Sequence, residues 1–167
     1  KEFIYSKAFS KKKINMKNFV FEISSHGISK KRINLIPINI AAITNITQDH
    51  LDFHKTFTNY RNTKLKLFKE YLQSKGFAII NDNINNINKL KLALVKKNIK
   101  IISYGKSISN VNCTIVGVNR LRIKIYNKIY FLNNNTIIKS FLENISCSIS
   151  CCLAIGLTNK NIINSLS

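Results

Sequence analysis

The sequence lacks any apolar run of the roughly 18 residues that a membrane-spanning helix needs. Its start also lacks the apolar core of a signal peptide, so we expect a cytoplasmic protein with no membrane partner. Of the 167 residues, 45% are hydrophobic and 20% are charged. That balance is typical of globular proteins, and the length suits one domain with a real core. Because the first residue is Lys, we expect the chain to be a piece of a longer protein.

Carboxylates and arginine are both scarce. The chain has seven Asp and Glu against 27 Lys and Arg, for a formal net charge of +20. Such a charge could indicate nucleic-acid binding. However, only four of the cations are Arg, and the Lys residues are spread along the chain among Asn and Ile. Lys lacks the planar fork with which Arg reads bases. We therefore predict a solvated surface charge and no nucleic-acid partner.

Metal-binding cysteine motifs are absent as well. The four cysteines form no C-x-x-C pair, and no histidine lies near them in the sequence. This spacing argues against a zinc site. Two of them, Cys147 and Cys151, are one helical turn apart in an apolar stretch. We interpret the cysteines as buried free thiols.

The apolar patterns predict an α/β fold. Short apolar runs that end in polar residues are typical of buried parallel strands, and helical patterns lie between them. From 112 to 132 the runs become short, alternating and closely spaced, which indicates a small antiparallel meander. We predict a mostly parallel sheet flanked by helices. The predicted strands are 19–24, 40–46, 77–81 and 99–105, and the predicted helices are 57–75 (closed by Gly76), 84–97, 141–156 and 159–166.

All three histidines lie in one window that also holds three of the seven acidic residues. An unpaired carboxylate at the end of a buried strand is costly, so Glu22 would either form a salt bridge with a Lys or bind Mg²⁺ through its oxygens. His50 and His54 are four residues apart, as in helical zinc sites, but a third ligand is not evident. Asp49 could instead cap a short helix. The residues alone leave a metal hydrolase using Glu22, Asp49, His50 and His54 open.

Three strings in this part of the chain, FEISSHGISKKR (21–32), TNITQDHLDFH (44–54) and YRNTKLKLF (60–68), together resemble the central, ATP-binding domain of the Mur ligases. The similarity is strongest to the branch that adds a diamino acid to UDP-N-acetylmuramoyl-L-alanyl-D-glutamate in peptidoglycan synthesis. The resemblance implies an ATP- and Mg²⁺-dependent amide-bond ligase that works through an acyl phosphate.

The resemblance also implies roles for individual residues. Glu22 and His50 would bind Mg²⁺, and Lys64 would match a carbamylated lysine that joins them; His50 and Lys64 would be catalytic. Ser24, Lys30 and Arg32 would contact the UDP-N-acetylmuramoyl dipeptide, with Lys30 standing where Gln is common. Asn144 would approach the nucleotide. Lys55 replaces a usual glycine, which implies an altered turn.

By the same resemblance, residues 1–167 would be a single, partial central domain. The Gly-rich phosphate loop and the N- and C-terminal domains of the family would lie outside these residues, on the same or another chain. The isolated chain would then be inactive. Two alternatives stay open beside the ligase and the metal hydrolase. The chain could be a non-catalytic remnant of such a ligase or a basic nucleic-acid-binding module.

Overall fold

Six strands form one mixed sheet in the computed structural model, which describes residues 18–133 and 139–166. The spatial order of these strands follows their order in the chain. The first four strands are parallel to one another, and the fourth, fifth and sixth strands pair antiparallel. This pattern confirms the predicted sheet and meander. The strands are β1 (Ile38–Ile43), β2 (Leu72–Asn81), β3 (Lys100–Tyr104), β4 (Val111–Val116), β5 (Arg120–Ile125) and β6 (Lys128–Asn133).

Helices cover both faces of the sheet. Three of them begin at a Ser or Thr whose hydroxyl accepts a backbone N–H of the first turn, the usual N-cap arrangement. Within the described residues, no helix is long and apolar enough to cross a membrane. The helices are α1 (Ser25–Ser29), α2 (Leu51–His54), α3 (Phe57–Lys66, continued by a π-helical turn at Leu67–Tyr71), α4 (Asn88–Val95), α5 (Leu142–Ala154, preceded by a 3-10 turn at Lys139–Phe141) and α6 (Asn159–Asn164).

The predicted strand at 19–24 is wrong. Residues 18–24 have no regular structure, and the first strand of the described sheet begins at Ile38. Phe19 and Val20 are 50% and 93% exposed, so the apolar run does not enter the core. Only Ile23 packs against buried residues. An apolar run forms a strand only where a neighbouring strand supplies its hydrogen bonds. No strand of the described sheet pairs with residues 19–24.

The helix predicted at 57–75 does not end at Gly76, so this prediction is also wrong. The helix ends at Tyr71, and Gly76 lies inside strand β2. A Cβ at this position would meet the Asn39 carbonyl oxygen at 2.6 Å and the Gln73 carbonyl oxygen at 2.9 Å. Glycine is therefore needed there for close approach of backbones, not as a helix cap. Helix α4 is shorter than the predicted 84–97, whereas the helices predicted at 141–156 and 159–166 are confirmed.

The core consists of two clusters on opposite faces of the sheet. Along β2, Ala78 and Ile80 belong to one cluster and Ile79 belongs to the other, as the two-residue period of a strand requires. The first cluster includes residues of α1, α3 and α4, and the second includes residues of α5 and α6. The four cysteines are free, as predicted; Cys113 and Cys147 are also buried, whereas Cys151 and Cys152 are only partly buried.

Candidate functional site

The three histidine side chains gather beyond the carboxyl end of β1. The ring of His26 lies 5.0 Å from that of His50 and 5.7 Å from that of His54, measured between centroids. Two aromatic rings complete the group: Phe53 lies 4.2 Å from His26, and Tyr60 lies 5.4 Å from His54 and 6.2 Å from His50. We call these five rings the histidine cluster. They come from α1, α2 with its N-cap, and α3, so three short elements build it.

His54 is the buried member of the cluster. It is 6% exposed, and its Nε2 lies 3.0 Å from the Ser25 hydroxyl. Burial lowers the pKa of His54 below its ordinary value, and the nearby His26 and His50 lower that pKa further. The imidazole is therefore held neutral and is engaged by Ser25. With Nε2 in contact with Ser25 and the ring buried, His54 joins α1 to α2, and the zinc pair considered with His50 finds no third ligand among the described residues.

His50 is the accessible member. Its side chain is 44% exposed, and its Nε2 lies 3.3 Å from Oδ2 of Asp49. The other Asp49 oxygen accepts the backbone N–H of His50 at 2.8 Å. His50 itself occupies the N-cap position of α2, with a left-handed φ of 53°. Asp49 is therefore not the N-cap considered from the sequence, because the N–H that it accepts is that of the cap residue and not one of the first helical turn.

Lys64 lies on α3 and points toward the same edge of the sheet. Its Nζ donates to the carbonyl oxygen of Asn45 at 3.1 Å and lies 5.0 Å from the centroid of the Tyr60 ring. His50 packs on that same ring. Tyr60 is 2% exposed and therefore a rigid support. The structure thus brings His50 and Lys64 to one side of the sheet, whereas the neighbouring Lys66 is exposed.

Glu22 is placed differently from the prediction. It lies in the irregular segment before α1 and is exposed, so the premise of a buried carboxylate at a strand end is wrong. It takes part in neither of the two ion pairs found within residues 18–133 and 139–166. The described part of the chain also contains no group of three or more His, Cys, Asp and Glu that could hold a metal ion. This finding counts against the metal hydrolase.

The residues expected to contact the dipeptide substrate surround α1. The Ser24 hydroxyl accepts the backbone N–H of Gly27 at 3.1 Å and so caps this helix. Lys30 ends the helix, and its Nζ lies 5.9 Å from the ring centroid of Phe53. Arg32 is exposed two residues later. Both cations therefore lie at the surface, and Lys30 lies next to the histidine cluster.

A cavity of about 410 Å³ opens at the carboxyl ends of β1 and β2. Asn45 lines this cavity, and its carbonyl oxygen is the one that binds Lys64, so the cavity adjoins the histidine cluster. The guanidinium of Arg61 donates to the carbonyl oxygens of Asn85 and Asn86 and fixes one wall. On α5, Glu143 lines the cavity, whereas the neighbouring Asn144 is exposed and not part of the lining.

A network of amides and one carboxylate forms the inner wall of this cavity. The buried Asn81 donates from Nδ2 to the Thr44 carbonyl oxygen and to Oε2 of Glu143, both at 2.7 Å. Asn83 donates to the other Glu143 oxygen at 2.7 Å, and its backbone N–H donates to the side chain of Asn81. We call Asn81, Asn83 and Glu143 the amide network. These contacts were not predicted from the sequence, although Glu143 is one of only seven acidic residues and Asn81 ends a predicted strand.

The pattern of the Mur ligase middle domain matches residues 4–161. A UDP-N-acetylmuramoyl-L-alanyl-D-glutamate–2,6-diaminopimelate ligase from Rickettsia montanensis is 37% identical over 151 residues, which cover 88% of this chain and 31% of the relative. The ligase of the same name from Rickettsia bellii is 42% identical over 99 residues, which cover 59% of this chain and 20% of the relative. The chain thus spans about a third or less of the length of these relatives.

Solved structures show the same fold. The chain superposes on MurF from Acinetobacter baumannii with a TM-score of 0.65 at 16% identity, covering 77% of this chain and 28% of MurF. MurF from Thermotoga maritima, solved in complex with ADP, gives a TM-score of 0.62 at 16% identity, covering 76% and 30%. Together with the sequence match, these similarities show that the chain belongs to the Mur ligase family, in which it corresponds to the middle domain.

Proposed function

We propose that this chain is the middle domain of an ATP-dependent ligase that joins 2,6-diaminopimelate to UDP-N-acetylmuramoyl-L-alanyl-D-glutamate. The names of its relatives describe this reaction, and ADP is bound in one structure of the same fold. The observation that carries the proposal is the shared position of His50 and Lys64 on the Tyr60 ring. Two residues that resemble the family's motifs thus each lie within about 6 Å of one tyrosine ring, and ligands bind at the carboxyl edge of open parallel sheets.

Lys64 can serve as a Mg²⁺ ligand only if it is carbamylated. As an ammonium, Lys64 repels a cation, but addition of CO₂ to the amine would give a carboxylate-like oxygen ligand. The Lys64 amine contacts a carbonyl oxygen next to a polar cavity, where such an oxygen would be accessible. We propose His50, carbamylated Lys64 and Glu22 as the residues that hold Mg²⁺. When bound, the ion would neutralise the negative charge that builds up on phosphate oxygens.

The remaining site residues would bind and orient the two anionic substrates. Lys30 at the end of α1 and Arg32 two residues later are exposed cations, which suits the carboxylates and phosphates of the UDP-linked dipeptide. The Ser24 hydroxyl accepts a helix N–H and keeps its own hydrogen to donate to a ligand oxygen. We propose the cavity beside the amide network as the nucleotide position, with Asn144 at its rim next to Glu143.

A chimeric enzyme tests the proposal. In it, residues 1–167 replace the matching segment of the R. montanensis ligase. The ATP-dependent joining of diaminopimelate is measured through the phosphate that it releases. We expect activity from the chimera and a loss of at least about 100-fold from Lys64→Ala, because Mg²⁺ would lose a ligand. Lys66→Ala is the matched control, since Lys66 is an exposed lysine on the same helix. A short carboxylate such as formate should partly rescue Lys64→Ala, since it could supply the missing oxygen ligand.

Each outcome bears on one part of the proposal. Equal activities of Lys64→Ala and Lys66→Ala would contradict the role of Lys64. A folded chimera that binds ATP but joins no substrate, beside an active parent enzyme, would favour the non-catalytic remnant. Circular dichroism of the chimera separates that result from a failure to fold.

A further inference from the structure

The acidic residues of this basic chain are unevenly distributed. None of residues 83–142 is Asp or Glu, although this stretch holds eleven Lys and Arg. The stretch contains the whole antiparallel meander, β4 to β6. The cations of residues 83–142 therefore have no carboxylate within this stretch with which to pair. An external anion would meet little electrostatic repulsion from it.

Strand pairing gathers three of these cations on one side of the meander. Along β5, Leu121, Ile123 and Ile125 are at most 1% exposed and face the core, so Arg120, Arg122 and Lys124 face the other side. Directly paired residues of antiparallel strands share a face. We call this side the basic sheet face; its residues are Asn112, Thr114 and Val116 of β4, Arg120, Arg122 and Lys124 of β5, and Ile129, Phe131 and Asn133 of β6.

Apolar side chains are exposed among these cations. Val116, Ile129 and Phe131 are 45%, 49% and 47% exposed, although each is paired with a cationic residue of β5. Val118, in the turn between β4 and β5, is 92% exposed. Cations interleaved with exposed apolar groups suit binding at the interface of an anionic bilayer, where both kinds of side chain find a partner.

We propose that the basic sheet face and the Val118 turn dock on the surface of an anionic phospholipid bilayer. The row of three cations would attract phosphate headgroups, and Val116, Val118 and Ile129 would enter the boundary between headgroups and acyl chains. We expected no membrane partner from the lack of a spanning helix, but peripheral docking needs no such helix. The inference is independent of the ligase proposal, since none of the proposed catalytic or binding residues lies on this face.

Single-stranded nucleic acid fits the face less well. Such ligands need free aromatic faces on which bases stack. Phe131 is the single aromatic side chain of the basic sheet face, and the guanidinium of Arg120 already lies 4.5 Å above its ring. The exposed valines and Ile129 would have no role in that complex. The bilayer therefore accounts for more of the surface than nucleic acid does.

Sedimentation with lipid vesicles tests the proposal on the 167-residue chain. We expect binding to vesicles of phosphatidylcholine with one quarter phosphatidylglycerol, and none to pure phosphatidylcholine. The triple variant Arg120→Gln, Arg122→Gln, Lys124→Gln should lower the partition coefficient roughly 100-fold at low salt. The matched control is Lys69→Gln, Lys89→Gln, Lys96→Gln, which removes the same charge from exposed positions elsewhere. We expect a loss of about fivefold or less from this control, through net charge alone.

A second variant separates lipid from other anions. Val118→Asn changes no charge and alters a side chain that is almost fully exposed, so the fold should persist. It should weaken vesicle binding about threefold and leave binding to a single-stranded oligonucleotide unchanged. Equal losses from the two triple variants, no preference for the anionic vesicles, or no effect of Val118→Asn would each overturn the proposal. If circular dichroism shows that the first triple variant is unfolded, Arg122→Gln and Lys89→Gln replace the two triple variants, and Arg122→Gln should lower binding about fivefold more than Lys89→Gln does.

Discussion

The histidine cluster and the amide network are the two polar assemblies at the carboxyl edge of the sheet. The cluster is built from residues 26–60, a short part of the chain, and three of its five members are histidines. The amide network joins Asn81 to Glu143, 62 residues apart in sequence. Both are anchored in buried side chains, His54 and Asn81. Chemically unusual residues close in sequence can be recognised in advance, whereas common residues that meet across the fold cannot.

The two assemblies should also differ in what they contribute to stability. Asn81 ties the ends of β1 and β2 to helix α5, so its loss affects three elements. His54 ties α1 to α2 through Ser25, and both of these helices are short. We therefore expect that loss of the amide network lowers the free energy of unfolding of the whole domain more than loss of the histidine cluster does. Loss of the histidine cluster should mainly affect one edge of the domain. Four substitutions or titrations test this difference, in order of decreasing effect.

Asn81→Leu should have the largest effect. It removes two hydrogen bonds, one to the Thr44 carbonyl oxygen and one to the carboxylate of Glu143. A loss of about 3 kcal/mol in the free energy of unfolding is expected, because a hydrogen bond to a charged group contributes about 2 kcal/mol and one between neutral groups about 1 kcal/mol. Urea denaturation measures it. Asn85→Ala, at an exposed position of the next loop, is the control and should cost less than about 0.5 kcal/mol. A loss below that of His54→Ala would contradict the proposed ranking.

His54→Ala should cost less, about 2 kcal/mol, since it removes one buried ring and one hydrogen bond. The same urea titration measures it. The comparison is His26→Ala, whose ring is only half-buried and which should cost about 1 kcal/mol or less. If the two variants are equally stable, the buried contact of His54 with Ser25 does not hold α1 and α2 together.

Ser24→Ala should cost about 1 kcal/mol, the usual value of an N-cap hydrogen bond. Ser24→Asp should keep the stability, since its carboxylate can also accept the Gly27 N–H. In the chimeric ligase, Ser24→Asp should nonetheless raise the KM for the anionic dipeptide substrate, because it places a negative charge beside it. If Ser24→Asp leaves that KM unchanged, Ser24 is only a helix cap.

The smallest effect is expected from pH. Because burial lowers the pKa of His54 below 6.5, the unfolded chain takes up a proton more readily than the folded one. The contribution of neutral His54 is therefore fully present above about pH 6.5 and decreases as the pH falls below that value. Urea unfolding at pH 7.5 and pH 5.5 should show a larger loss for the natural chain than for His54→Gln. Identical losses would show that His54 titrates normally in the folded protein.

Most of the sheet could be predicted from apolar runs, because burial on both faces and the two-residue period leave a direct pattern in the sequence. The segment at 19–24 carries the same pattern but is not paired, since pairing depends on a neighbouring strand. Gly76 looked like a helix cap because glycine often ends helices. Only the close approach of the Asn39 carbonyl oxygen shows why a side chain is excluded there.

The sequence by itself determined the α/β class, the family and the gathering of the histidines, because strand and helix periods and rare residue types are local properties of the chain. The tertiary structure decided which histidine is buried, that Lys64 and His50 share one tyrosine, and that Glu22 is exposed. These outcomes depend on how the short helices α1, α2 and α3 pack against one another and on which segments join the sheet, and local composition shows neither.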